Sequence, residues 1–328
     1  MAPRAWIFRL LVMLTVLFLS SVVHAQQIIG DGEGVDSQLL WVSPGPSNFP
    51  TLQSSDIVGH KGVAFGALFG HYRKPLGVEV TDDTGVGDTM WVVEHATTAD
   101  FMWAFGVKDL MQLGILLPVV IDQDGVGAMP FMPLGADDST YKLAGSALRD
   151  LRFDIKTRFV GGGAEIPDRR NFGLALDVAM SIPTGDELNF AGENGLVIAP
   201  NAIIDFHRCK FSAALNLGAR LRTEKARLAN LTVGHQGIAG LGVTGHYLDR
   251  RLLLSAEGTT VVELNGFDRV GFEYRGGVGY VPDEAKAVTI WLSGGSSAGT
   301  GDLLGTPQMR FLLGLTYAPG AEEEAYAF

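Results

Sequence analysis

The chain has 328 residues, a formal net charge of −11, 47% apolar and 19% charged residues, 43 glycines and one cysteine. So apolar a composition excludes a disordered chain. The acidic balance excludes a nucleic-acid binder, which needs a basic face, and a single cysteine excludes a disulfide framework or a cysteine-based zinc cluster.

Residues 1–25, MAPRAWIFRLLVMLTVLFLSSVVHA, read as a cleaved export signal. Arg4 and Arg9 supply the basic start, residues 10–19 the apolar run, and Val23-His24-Ala25 the small-residue cleavage site. No later stretch is long and apolar enough for a membrane-spanning helix. An exported, glycine-rich chain of this kind is either an outer-membrane barrel or a soluble secreted β protein.

Residues 26–62 form a separate N-terminal segment. Asp31, Glu33 and Asp36 make its start acidic, Pro44, Pro46 and Pro50 interrupt regular structure, and Trp41 and Phe49 lie between. Two readings stay open. The segment is a disordered periplasmic lead, or it is a plug whose Leu39, Leu40, Trp41 and Phe49 tuck into the periplasmic mouth of a barrel. In the second reading its acidic residues meet inward arginines such as Arg220 and Arg310.

From Val63 the chain alternates with period two. In DLRFDIKTRF at 150–159, Leu151, Phe153, Ile155 and Phe159 share one face and Asp150, Arg152, Asp154, Lys156 and Arg158 the other. About 12 such strands follow, at 63–80, 89–106, 109–121, 148–160, 170–183, 195–206, 209–223, 236–248, 251–263, 269–281, 286–298 and 308–318. The even number suits an all-β, antiparallel, up-and-down transmembrane β-barrel over 63–319, followed by a short acidic tail at 320–328. Short turns at Lys108, at His207-Arg208, at Asp249-Arg250 and at Pro282–Glu284 alternate with longer links. The links at 161–169 and 264–268 depart from that rule. Short turns on one side and long loops on the other are the outer-membrane pattern. Phe105, Phe159, Phe206, Tyr247, Tyr280 and Tyr317 fall near the periplasmic ends of the even strands, where an aromatic girdle would sit at the membrane interface.

The polar parity supplies the candidate lumen-lining set: Asp150, Arg152, Asp154, Lys156, Arg158, Asp177, Asp205, Arg220, Arg222, Glu257, Glu273, Arg275 and Arg310. Mixed charges on neighbouring strands either pair and fill the lumen or line a water-filled path. About 12 strands lie between filled eight-stranded barrels and open porins, so size leaves both readings standing.

Three stretches carry a family likeness. TGDELNFAGENGLVIAPNAIIDFHRCKFSAALNLGARLR at 184–222, GTPQMRFLLGLTYAP at 305–319 and LGILLPVVIDQDG at 113–125 resemble the N-terminal barrel of myxobacterial-type OmpA-family outer-membrane proteins. They are also similar to the transporter-like barrels grouped with meta-pathway phenol degradation proteins. The resemblance covers roughly residues 50–319 and rests on turn and strand patterns. It implies a barrel in the outer membrane, with lipid and the barrel-assembly machinery as partners. Such chains often continue into a peptidoglycan-binding domain; here GAEEEAYAF follows Pro319, so peptidoglycan binding is not expected.

No motif for catalysis or a cofactor stands out. There is no GxxxxGK, HExxH or GxSxG. Asp122-Gln123-Asp124-Gly125 reads as a tight turn rather than a calcium loop, because the distal glutamate is missing. His71, His95 and His246 have no spaced serine or carboxylate partner, and Cys209 reads as a packed small residue. The expectation is a non-enzymatic outer-membrane barrel without cofactor, metal or nucleic-acid partner. It is a narrow passive channel for small solutes or a structural membrane protein; the alternative is a soluble secreted β-rich binding protein.

Overall fold

A computed structural model describes residues 34–81, 87–128, 142–161, 171–208, 210–228, 231–264, 270–282, 287–300 and 306–318. The export signal at 1–25, Cys209 and the acidic tail lie outside the described residues.

The strands are β1 (Val63–Thr81), β2 (Gly87–Val107), β3 (Met111–Asp124), β4 (Ala147–Leu148), β5 (Leu151–Val160), β6 (Asn171–Ile182), β7 (Val197–Arg208) and β8 (Phe211–Arg222). They continue with β9 (Ala226–Leu228), β10 (Leu231–Val233), β11 (Gln236–Tyr247), β12 (Leu252–Glu263), β13 (Val270–Tyr280), β14 (Val288–Thr300) and β15 (Met309–Tyr317). Each barrel strand pairs antiparallel with its neighbours in the chain, and β1 closes on β15 from Phe65 opposite Tyr317 to Arg73 opposite Met309. The result is a closed antiparallel barrel of twelve long strands. Closure leaves no unpaired edge, which is the condition for a β structure in a bilayer. The short β4 continues β5 along β3, with Val119 opposite Leu148 and Leu116 opposite Arg152. β9 and β10 pair only with each other, in a small hairpin within the link between β8 and β11. The one helical element among the described residues is a 3-10 turn, Glu187–Asn189.

Alternation sets the two faces. On β5, Arg152, Asp154 and Lys156 are buried while Ile155 and Phe159 are exposed. The same split recurs on β13, where Phe272, Tyr274, Val278 and Tyr280 face outward and Glu273 and Arg275 inward. The outer surface therefore carries a continuous apolar population, from Phe65 and Phe101 to Leu241 and Leu292, whose exposure reaches 61% and 63% at the last two. The inner surface is polar. This inverts a soluble protein, in which the large apolar side chains are inside.

At one end the connections are tight. Lys108 and Asp109 in the β2–β3 turn, and Leu248, Asp249 and Arg250 in the β11–β12 turn, all adopt positive φ. Most of the longer links join strands at the opposite end, where Phe190 and Ala191 are buried, while the link from β5 to β6 falls at the tight-turn end.

Leu176 and Asp177 sit side by side near the middle of β6, the first outward and the second 1% exposed. Leu176→Arg should cost about 2–4 kcal/mol in urea unfolding from lipid vesicles, the usual price of a cation on a lipid face near the midplane. Asp177→Asn should unfold no earlier than the wild type. Equal cost for both would require another register.

Candidate functional site

The lumen is not vacant. Residues 34–62 run through it along its whole length. At the long-link end Ser37 donates its N–H to the Phe190 carbonyl at 2.9 Å. At the tight-turn end Lys61 donates to the Gly106 carbonyl at 2.9 Å, and His60 donates its backbone N–H to Asp109. This path is longer than a tuck into the periplasmic mouth.

Between those ends the segment forms no strand, so its backbone groups need other partners. The wall side chains supply them. Glu257 accepts the N–H groups of Thr51 and Leu52, both at 3.2 Å, and the Thr51 hydroxyl. Asn216 accepts from the Gln53 N–H at 2.9 Å and donates to the Gln53 carbonyl at 3.0 Å. Asp205 accepts the N–H and hydroxyl of Ser55. Gln112 donates to the Pro44 carbonyl at 2.7 Å and accepts from the Val58 N–H at 3.1 Å. Arg220 donates to the Leu39 carbonyl, Lys156 to that of Ser54 at 3.3 Å and Thr244 to that of Asn48 at 2.9 Å.

Side chains of the segment add ionic and apolar anchors. Asp36 pairs with Arg149 at 2.7 Å and with Arg152 at 3.4 Å. Arg310 donates to Gln38 at 2.8 Å, lies 4.5 Å over the Tyr72 ring and pairs with Glu273. Trp41 receives two guanidinium groups, Arg152 at 4.3 Å and Arg220 at 4.6 Å. Phe49 and Leu52 pack on Ala214. Gly240 and Gly242 of β11 make the socket, because a Cβ at either position would come within 2.5 Å or 2.7 Å of Leu52.

Twelve of the thirteen charged residues assigned by sequence to the inner parity are buried. Arg158 is half-buried at the tight-turn rim, where it donates to the Asp109 carbonyl at 3.0 Å. Arg222 clamps Glu193 of a long link with two bonds of 2.8 Å. Asp150 accepts the N–H groups of Thr184, Gly185 and Glu193. It lies in the break between β4 and β5, outside the spanning strands, and burial pushes its carboxyl up to about 6 against the lowering effect of the Glu193 and Gly185 donors. Of the six aromatics, Phe105, Phe159, Tyr247, Tyr280 and Tyr317 are exposed on the outer face, while Phe206 is half-buried against Phe211 at 5.9 Å.

Some interior residues lie outside the set assigned by alternation. Arg149 is buried directly before Asp150, because the strand breaks between β4 and β5. Asp100 lies between Ala99 and Phe101 on β2, and it meets Arg149 at 3.4 Å. Asp205, His207, Ser212 and His246 form a chain: His207 contacts Asp205 at 3.4 Å and Ser212 at 2.8 Å, and Ser212 contacts His246 at 2.8 Å. A serine beside an imidazole and a carboxylate suggests a nucleophile, but Ser212 is sealed and Asp205 is engaged by Ser55. The chain of bonds therefore serves to hold the segment. Among the described residues no group of three or more His, Cys, Asp or Glu side chains could hold a metal ion.

No family model matches the chain, and no curated protein does. Solved structures do. A crystallised outer membrane channel from Pseudomonas putida F1 is 14% identical, with a TM-score of 0.55 over 81% of this chain and 99% of that one. The NanC and KdgM porins align over 77% of this chain and 98% of theirs, at 7% and 8% identity, with TM-scores of 0.46 and 0.41. The first likeness shows the fold, a closed antiparallel barrel shared with that outer-membrane protein. The narrower resemblance to OmpA-family barrels rests on the sequence patterns alone.

Hydrogen bonds to a charged acceptor contribute about 1.5–3 kcal/mol each. Glu257→Ala removes three such bonds from the segment and the one from Arg275 at 3.3 Å, leaving Glu273 to pair Arg275 at 2.8 Å. Chymotrypsin cleavage of the folded barrel after Trp41 should rise by about tenfold or more, each tenfold being about 1.4 kcal/mol. An unchanged rate would mean that Glu257 does not fasten the segment.

Proposed function

We propose that the protein is a narrow outer-membrane channel for small solutes, with residues 34–58 acting as a plug that sets its bore. The observation that carries this reading is the inverted barrel: an outer surface fit for lipid, an inner surface fit for water and ions, and a strandless segment held inside mainly by side chains of the wall. Strand pairing would make the segment part of the wall. Side-chain bonds make it a separable insert.

The soluble secreted alternative draws no support from an outer face that carries Phe65, Phe69, Phe101, Leu241 and Leu292 exposed. A purely structural barrel is the second reading, favoured by the number of bonds that fill the lumen. Lipid is the partner that the outer face fits. The barrel-assembly machinery is proposed as a further one, through the last strand ending at Tyr317. Neither catalysis nor peptidoglycan binding is proposed.

Planar-bilayer recording separates the two membrane readings. Deletion of residues 34–58 should raise single-channel conductance about threefold or more, because a barrel of this strand number has room for a path once the lumen is cleared. Mobility on unboiled gels checks that the deleted form is still a closed barrel. Equal conductance in both forms would overturn the plug.

A further inference from the structure

The segment does not fill the lumen evenly. A cavity of about 110 Å³ remains between its residues 39–43 and 51–53 and the wall. By the same measure a single water needs about 10–15 Å³, so the space is that of a small solute or a cluster of waters. Arg152, Arg220, Asp154 and Asp177 border it, together with Trp41 and Asn216. All four charged side chains are more than nine-tenths buried.

These four charges are under-partnered. Among the described residues, Nε and Nη1 of both Arg152 and Arg220 and Oδ1 of Asp154 have no hydrogen-bond partner, and Asp177 has only the Gln53 side chain beside its carboxylate. Their remaining bonds lead elsewhere: Arg152 to Asp36, Arg220 to the Leu39 carbonyl and Asp154 to Ser43 at 3.3 Å. Lys156, across from Asp177 in the β5–β6 register, is turned to the Ser54 carbonyl. Buried charges left without partners cost several kcal/mol each, so this part of the lumen favours a guest that answers them.

The arrangement has a polarity. The two guanidinium groups share the Trp41 ring, so they define one end. Asp154 follows Arg152 by two residues on the same strand face, a spacing of about 7 Å, and Asp177 lies on the neighbouring strand. A simple anion would answer the arginines and stand against two carboxylates. A simple cation would do the reverse. We propose that this cavity is a binding site for a small zwitterion of the amino-acid type, with its carboxylate on Arg152 and Arg220, its ammonium on Asp154 and Asp177, and its methylenes along Trp41. As the solute of a channel, this ligand rests on the functional reading above; as a bound molecule, it is measured without any conductance.

Isothermal titration calorimetry of the full barrel in detergent tests it with three matched probes: 4-aminobutanoate, butanoate and butylamine. The expected result is saturable binding of 4-aminobutanoate, with butanoate and butylamine each at least about tenfold weaker. Arg220→Gln and Asp177→Asn, two near-isosteric changes, should each weaken 4-aminobutanoate by about tenfold or more. Unboiled-gel mobility confirms that each variant is an intact barrel. Absence of saturable binding in the intact wild type, equal binding of butanoate, or unchanged affinity in both variants overturns the site. Binding without bilayer conductance upholds the site and removes the channel reading.

Discussion

Unpaired buried charge is the constraint on which this barrel turns. Alternation across twelve strands puts the apolar side chains outside and more than a dozen charged ones inside. The segment at 34–58 has the opposite problem, a backbone with no ladder to join. Each solves the other's difficulty. Glu257, Asp205, Asn216 and Gln112 take up backbone groups that a strandless chain would leave bare. The backbone carbonyls and Asp36 in turn occupy Arg220, Lys156 and Arg149. Pro44, Pro46 and Pro50 have no backbone donor and interrupt regular structure in the segment.

The lumen that results is graded. Where Phe49 and Leu52 meet Gly240 and Gly242, the packing is apolar and close. Where Arg152 and Arg220 both lie against the Trp41 ring, charges remain without full partners and a cavity persists. A tightly seated region next to a loosely satisfied one is a sensible layout for an insert that narrows a passage without becoming part of its wall.

The barrel was legible in the sequence because period two is a strong, repeated signal, and strand ends such as Val63, Gln236 and Glu263 fall where the alternation starts and stops. Individual sites were less legible for identifiable reasons. Arg149 was hidden because a break in the strand puts two consecutive residues on one side, which no alternation can represent. Asp100 stood alone between apolar neighbours and gave no pattern. Gly240 and Gly242 looked like ordinary barrel glycines; their meaning appears only once Leu52 is opposite them. The path of residues 34–62 was the least readable feature, since an aperiodic stretch encodes its position through partners far away in the chain. Its acidic residues pointed to inward arginines such as Arg220 and Arg310, but Asp36 pairs with Arg149 and Arg152, while Arg220 and Arg310 bond the Leu39 carbonyl and Gln38.

The central claim is that the segment lies inside the barrel along β6 and its neighbours, and a cross-link measures it directly. A Cβ built on Gly173 of β6 lies 2.9 Å from the Cβ of Ser55 and 2.0 Å from Asp205 Oδ1, so once the Asp205 carboxylate turns aside the pair can open to the separation of about 3.5–4.5 Å that a disulfide needs. With Cys209→Ser removing the native thiol, Ser55→Cys and Gly173→Cys are introduced together and the oxidised protein is digested with chymotrypsin. Mass spectrometry should find one peptide pair joined before reduction and separated after it. Two free thiols, both modified by a water-soluble maleimide in the folded barrel, would contradict the account.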